Sequence, residues 1–506
     1  MSVTVRFAPS PTGGLHIGGV RTALYNYLFA KKHGGRFILR IEDTDQTRYV
    51  EGAEQYIIDS LKWCGIDFTE GAHLGGPCAP YRQSERKPMY AEYAQILIDN
   101  GSAYYAFDTT EELDEMRKRL EASGVKSPQY NSITRNTMKN SLTLPQDEVK
   151  KRLEAGEPYV IRLKVPRKEE VRFHDEVRGW VVIHSSQVDD KVLMKSDGMP
   201  TYHMANVIDD HTMEVTHVIR GEEWLSSTPL HVLLYRSFGW EDTMPKFAHL
   251  PLILKPEGTG KLSKRDGDKF PQFPLEWTDT EGKTFKGFRE LGYLPEALMN
   301  FLALLGWNPG ADEELMNMDR LIEAFSLERI GKSGTKYDLA KAEWFNQHYL
   351  RNTPDADLLA PVKEELKKAG LPEKDDAFIA NVIHLLKDRV TFIREFAEHG
   401  KYFFLAPTTF DNDMTKAKWN ENCPNWMLAL AEVFDGLTEW NHAQMDAAFK
   451  AWVAAQGLGA GKVLPAFRLA VTGMPFGPST FDVAESIGKA ETLSRLRYAA
   501  ENLKNI

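Results

Sequence analysis

The sequence predicts an α/β nucleotide-binding fold, interrupted by an insertion and followed by a mainly α-helical C-terminal half. Three observations predict it. Residues 3–8, Val-Thr-Val-Arg-Phe-Ala, alternate and are β-rich, as a strand should be. Pro9, Pro11, Gly13 and Gly14 end that strand, and Val20, Leu24, Tyr27 and Leu28 then recur at helical spacing, so a helix opens near Gly18 and Gly19. Strand and helix patterns alternate to about Lys87, whereas the chain from Arg351 onward reads mainly as helices, with amphipathic stretches such as 377–386.

The strand–turn–helix start carries chemistry. A helix N-terminus offers unpaired N–H groups and positive dipole density, which suits phosphate oxygens. Two glycines let a nucleotide approach the backbone closely. His16 stands just before that terminus, either as a donor to phosphate or as a turn histidine without a role. Far along the chain, Lys261-Leu-Ser-Lys-Arg265 is a compact cationic loop flanked by Gly258, Gly260 and Gly267. It reads as a solvated charge cluster or as a mobile arm that places Lys264 on a polyphosphate. If the two segments meet, a nucleoside triphosphate lies between them. No Walker A pattern competes: Gln456-Gly-Leu-Gly-Ala-Gly-Lys462 is one residue short and lacks the following Ser/Thr, so it reads as a loop.

Together these residues resemble the class I aminoacyl-tRNA synthetases. His16-Ile-Gly-Gly19 is similar to the HIGH signature, with Gly19 in place of the last His, and Lys261-Leu-Ser-Lys-Arg265 to the KMSKS signature. Four further stretches narrow the resemblance to the bacterial glutamyl-tRNA synthetases. They are Arg6-Phe-Ala-Pro-Ser-Pro-Thr-Gly13, Arg40-Ile-Glu-Asp-Thr-Asp45, the run from Asp197 to Asp210 containing Tyr202 and Asn206, and Val218-Ile-Arg-Gly-Glu-Glu-Trp224.

The resemblance implies a Rossmann-like catalytic domain split by an insertion that binds the tRNA acceptor end, then an anticodon-binding half. The expected boundaries are 1–88 and 199–255 for the catalytic domain, 89–198 for the insertion, 256–350 for the KMSKS-like loop and a stem-contact connecting domain, and 351–506 for the helical anticodon-binding region. It implies a ligase that activates L-glutamate with ATP and Mg²⁺ to glutamyl-adenylate. The glutamyl group then passes to the 2′-hydroxyl of the terminal adenosine of tRNA(Glu), and activation is expected to require bound tRNA.

Glutamate is expected to meet Arg6, Ser10, Glu42, Tyr202, Asn206, Arg220 and Trp224. ATP is expected to meet His16, Gly18, Gly19, Glu223, Lys261, Ser263, Lys264 and Arg265, with His16 and Lys264 catalytic. The residue types fit this substrate. A γ-carboxylate suits a guanidinium, because the planar fork matches it in two hydrogen bonds. Arg6 or Arg220 can provide that fork, unless either is held in a structural ion pair. An α-ammonium suits Glu42; Asp43 and Asp45 either cap the next turn or order the site. Tyr202 and Asn206 stand four apart and would share a helix face.

Two departures from the family pattern matter. Where some members carry Cys-rich zinc ligands, this chain has Tyr105-Ala-Phe-Asp-Thr109 and Tyr130-Asn-Ser-Ile-Thr-Arg135, so no structural zinc is expected. Residues 268–288 are longer than the pattern and read as a short hairpin, which either decorates the surface, the preferred reading, or contacts tRNA or gates the cationic loop.

Composition sets the remaining bounds. The 506 residues suit several domains, and 42% hydrophobic with 26% charged residues is ordinary for a globular protein. No apolar run reaches the length of a membrane span, so no membrane partner is expected. Cys64, Cys78 and Cys423 are odd in number and widely spaced, which argues against a disulfide framework and fits a reducing cytoplasm. The net charge, 62 minus 72, is −10, so any RNA contact needs a local basic surface. Lys363, Lys367, Lys368, Lys387, Arg389 and Arg394 form either such a stripe or a solvated helical face. A monomer is expected. A truncated relative that glutamylates a tRNA base would lack the C-terminal region, and a glutaminyl enzyme would carry β-barrels there. A silent RNA-binding paralogue would be expected to lose His16 or Lys264.

Overall fold

A computed structural model of the chain describes residues 2–257, 260–262 and 270–504. It divides into two compact units, one of Met1–Glu290 with Leu298–Leu339, the other of Leu291–Ala297 with Ala340–Ile506.

In the first unit, β1 (Thr4–Phe7) leads through the Pro/Gly turn into α1 (Ile17–Lys32). β2 (Arg36–Leu39) lies parallel to β1, with Val5 opposite Phe37, and β3 (Glu70–Gly71) follows it after α2 (Ala53–Trp63). β1 is buried throughout, as expected of an inner parallel strand. Beyond α3 (Lys87–Asp99) come β4 (Ala103–Ala106), α4 (Thr110–Ala122), α5 (Gln146–Glu154) and β5 (Val160–Leu163). α4 opens on a full capping box, in which Thr109 and Glu112 satisfy each other's backbone N–H groups.

Next are β6 (Glu170–Asp175), β7 (Gly179–His184) and β8 (Val192–Met194). β4, β5 and β8 form a separate antiparallel sheet. The chain returns through α6 (Tyr202–Thr212), β9 (His217–Gly221), α7 (Thr228–Phe238) and β10 (Lys246–Leu250). Gly239 ends α7 in the left-handed conformation at φ 72°, where a Cβ would be strained.

The second sheet runs β7-β6-β10-β9, with β10 parallel to both β6 and β9. Its edge meets the first sheet, because Thr216 N–H donates to the Thr4 carbonyl at 2.9 Å just before β9. β1 and β9 thus lie side by side at the centre of the doubly wound core. The hairpin of β6 and β7 falls within 89–198, yet it hydrogen-bonds into this catalytic sheet; Val171 and Phe173 point into its core. Alternating burial along β6 makes this possible, since every second residue is buried.

The small core of the insertion contains Tyr104, Ala106, Met116, Tyr130 and Met138. The two stretches that face the family's zinc positions are knitted by other bonds. Tyr130 donates to Asp108 at 3.0 Å, Asn140 donates to Tyr130 at 3.2 Å, and Lys139 N–H donates to Asp108 at 2.7 Å.

The regular elements of the second unit, among the described residues, are helical. The amphipathic stretch becomes the helix Asp376–Leu386, capped by Asp375. Phe434, Phe449, Phe467 and Phe481 meet at its centre, with ring centroids 5.5–6.1 Å apart along the contacts of Phe467 and Phe449. Gln456 to Gly459 is the turn expected there, but Ala460 already opens the next helix, Ala460–Thr472.

A buried charge network joins the ends of β1 and β2 to α6. Arg40 is fully buried and donates to Asp210 at 2.7 Å and Glu42 at 3.0 Å. Arg6, on β1, donates to the same Asp210 at 3.0 and 3.4 Å. Asp209 accepts from Arg86, Gln83 and Tyr90, each at 2.8 Å. Burying a charge is costly unless it is paired and hydrogen-bonded. Burial raises the Asp210 carboxyl, but Arg6 and Arg40 outweigh it and hold it below the ordinary carboxylate range. Asp210→Asn strands two guanidiniums and is expected to destabilise this unit by about 3–5 kcal/mol. Chemical denaturation followed by tryptophan fluorescence measures it; a loss below about 1 kcal/mol would show that the pair does not hold the core.

Candidate active site

The site forms where β1, α1, α6 and β9 converge. A cavity of about 270 Å³ is lined by Arg6 and Ser10, by Gly18 and Gly19, by Glu42, Tyr202 and Asn206, and by Arg220, Glu223 and Trp224. Every residue expected to meet glutamate is among them. A second cavity of about 380 Å³ adjoins it, sharing Ser10, Glu42, Tyr202 and Trp224 and extending to Asp45, Arg48 and Lys195.

The two arginines differ. Arg6 spends Nε and Nη2 on Asp210, so its charge is already matched by a carboxylate. Arg220 makes no ion pair with any described residue. Its Nε donates to His249 at 3.1 Å, Nη1 to the Tyr202 hydroxyl at 3.0 Å and Nη2 to Thr228 at 2.9 Å. Two further contacts are long, Nη1 to His231 at 3.4 Å and Nη2 to the Trp224 carbonyl at 3.5 Å. Those weak contacts are the ones a ligand carboxylate can replace. Burial pushes the Tyr202 hydroxyl up to about 12, so it stays a protonated donor.

Opposite, Glu42 Oε1 accepts from Arg40 and, at 3.2 Å, from Asn206. Tyr202 and Asn206 do share a face of α6, and both reach the cavity. Burial raises the Glu42 carboxyl above its ordinary value against the pull of Arg40 and Arg6. The neighbouring acids serve order: Asp45 caps the turn at Gln46–Arg48, and Asp43 accepts from the Ser84 backbone at 2.8 Å. Trp224 lies over Tyr202 with ring centroids 4.4 Å apart.

The nucleotide side corrects one expectation. The first N–H groups of α1 are not open: Ile17 N–H donates to the Gln272 carbonyl at 2.8 Å, and Gly18 N–H to His16 Nδ1 at 3.0 Å. His16 is thus the N-cap of α1. With Nδ1 accepting, the proton of the neutral ring sits on Nε2. Gly19 carries no side chain for a packing reason as well, since a Cβ there would stand 2.7 Å from Leu15 Cδ1.

Of the second segment, Lys261 and Leu262 are described, and Lys261 pairs with Glu223 at 3.0 Å on the rim of the cavity. Ser263, Lys264 and Arg265 lie outside the described residues. The segment 270–288 forms the expected hairpin, Trp277–Thr278 against Thr284–Phe285. It is not surface decoration. Gln272 caps α1, Phe273 meets the His16 ring edge-on at 6.5 Å, and Tyr56 donates to the Leu275 carbonyl at 2.6 Å.

In the helical unit, most of the suspected basic stripe is engaged locally. Lys363 pairs with Asp376, Lys368 with Glu364 and Glu365, Lys387 with Asp355, and Arg394 with the Leu291 carbonyl. Sequence reading missed His249, Thr228 and Asp175 around Arg220. None sits in a motif; strand register brings Asp175 and His249 to Arg220, and the start of α7 brings Thr228.

Comparison with known proteins agrees with this geometry. Residues 2–344 match the model of the class I tRNA synthetase (E and Q) catalytic domain, and residues 355–500 match an anticodon binding domain. A glutamate–tRNA ligase of Cytophaga hutchinsonii is 58% identical over 98% of this chain and 97% of its own length. One from Amoebophilus asiaticus is 56% identical over 98% of each chain. A solved glutamate tRNA ligase of Elizabethkingia meningosepticum, in complex with its amino acid, superposes with a TM-score of 0.96 at 49% identity over the whole of both chains. With the Arg220–Glu42 cavity, the His16 cap and a helical second unit in place, the chain belongs to the glutamate–tRNA ligases of the class I tRNA synthetase family.

Proposed function

We propose that this cavity holds L-glutamate for activation by ATP and transfer to tRNA(Glu). The observation that carries the reading is Arg220, a buried guanidinium with no carboxylate partner among the described residues, in one small cavity with Glu42. An amino acid with a second carboxylate answers both groups. Its γ-carboxylate takes the Nη1 and Nη2 protons now in long contacts, and its α-ammonium takes the carboxylate of Glu42. Tyr202, Asn206, Ser10 and Arg6 complete the walls, and Trp224 covers Tyr202.

The α-carboxylate then attacks the α-phosphorus of ATP, releasing pyrophosphate, and the adenylate passes its acyl group to the tRNA. His16 Nε2–H serves as a phosphate donor, with Gly18 and Gly19 permitting close approach. Lys264, with Lys261 and Arg265, supplies positive charge as negative charge accumulates on the departing pyrophosphate, and Ser263 donates from its hydroxyl. Glu223 receives the nucleoside side. Mg²⁺ enters on the phosphates; no group of three His, Cys, Asp or Glu is placed to hold an ion among the described residues. The proposed setting is a monomer in the cytoplasm, supported by three free cysteines.

Lys264→Ala is expected to lower the glutamate charging rate roughly 100-fold or more, read with labelled amino acid and purified tRNA. Unchanged kinetics, or transfer of a different amino acid, would sink the assignment. Arg220→Ala is expected to raise the KM for glutamate roughly 30-fold or more while the KM for ATP stays near its original value. Native mass spectrometry is expected to give the mass of one chain without zinc; a stoichiometric zinc or a dimer would overturn that part of the proposal.

A further inference from the structure

We propose that Asp175 and His249 are positioning residues for glutamate specificity: a buried carboxylate–imidazole pair that fixes Arg220 without neutralising it. The inference rests on Arg220 as the partner of the γ-carboxylate. The three residues sit on three neighbouring strands. Arg220 on β9 and His249 on β10 are direct register partners, and Asp175 ends β6 on the far side of β10. Asp175 and His249 are fully buried, and Arg220 is 5% exposed.

The hydrogen bonds run in one direction. Asp175 Oδ1 accepts from the backbone N–H groups of Val177 at 3.0 Å and Arg178 at 2.8 Å. Its Oδ2 stands 2.6 Å from His249 Nδ1. A carboxylate there requires a proton on Nδ1, so Nε2 of the neutral ring carries a lone pair. That lone pair faces Arg220 Nε at 3.1 Å, and an arginine nitrogen donates only. Thr228 reinforces the arrangement, with its hydroxyl 3.1 Å from the same Nε2 and accepting from Arg220 Nη2. Burial lowers the imidazole below its ordinary value against the bond to Asp175, and Arg220 adds to the lowering, so the ring is neutral.

The interposed ring has a function that a direct ion pair lacks. Arg6 shows the alternative: its guanidinium meets Asp210 directly, and its charge is matched inside the protein. At Arg220 the carboxylate is set one ring further away. The guanidinium is held by Nε, while its charge and its Nη1/Nη2 edge remain for a substrate anion. Pre-organisation of this kind lowers the cost of binding.

Asp175→Asn tests the relay at constant shape. The amide oxygen must face the Val177 and Arg178 N–H groups, which turns the NH₂ toward His249. The ring then moves its proton to Nε2, donor against donor with Arg220. Glutamate KM is expected to rise roughly tenfold or more in Asp175→Asn and in His249→Leu, with ATP KM near its original value and a reduced preference for glutamate over glutamine. His249→Gln, whose amide can donate to Asp175 and accept from Arg220, is expected to recover most of the loss. Melting curves of each variant accompany the kinetics, and if His249→Leu does not fold, Asp175→Asn and His249→Gln carry the test. An unchanged glutamate KM in Asp175→Asn, beside a raised one in Arg220→Ala, overturns the relay alone. An equal rise in both KM values with a lowered melting point also overturns it, as a merely structural role. An unchanged glutamate KM in Arg220→Ala overturns the underlying assignment of Arg220 as well.

Discussion

The salt link between Arg40 and Asp210 is the constraint on which the rest of the catalytic unit depends. It joins the end of one strand to the helix that returns after the insertion, some 170 residues later in the chain. Around it, Arg6, Glu42, Asp209 and Arg86 occupy fixed places, each buried charge matched by an opposite one. Glu42 then presents its carboxylate to the cavity, and α6 presents Tyr202 and Asn206. The cavity is therefore the open edge of a structural charge network.

That origin explains which parts were legible in the sequence. The strand, turn and helix at the N-terminus carry strong local signals, and so does the helical second unit. The residues lining the cavity came from motifs, and the structure brings them to one place. What did not show was how their valences are used. Arg6 and Arg220 look alike as buried arginines in motifs, yet one is matched by Asp210 and the other is not. The difference depends on strand register between β9, β10 and β6, a long-range property that no local pattern encodes. The hairpin of β6 and β7 was assigned to the insertion for the same reason, since its place in the catalytic sheet rests on pairing with β10.

The N-terminus of α1 shows how a favourable anion site can be tuned. Its first two N–H groups are occupied by the Gln272 carbonyl and the His16 ring. The dipole of the helix remains. The segment after the cationic loop supplies one of these caps, the Gln272 carbonyl.

The hairpin also constrains the turn that precedes α1. At Gly14, a Cβ would stand 2.7 Å from the indole of Trp277 and 3.0 Å from the Phe273 ring. The hairpin is thus keyed into a notch that exists only while position 14 lacks a side chain. A side chain at position 14 would therefore require the hairpin to shift, and removing the hairpin would open that notch.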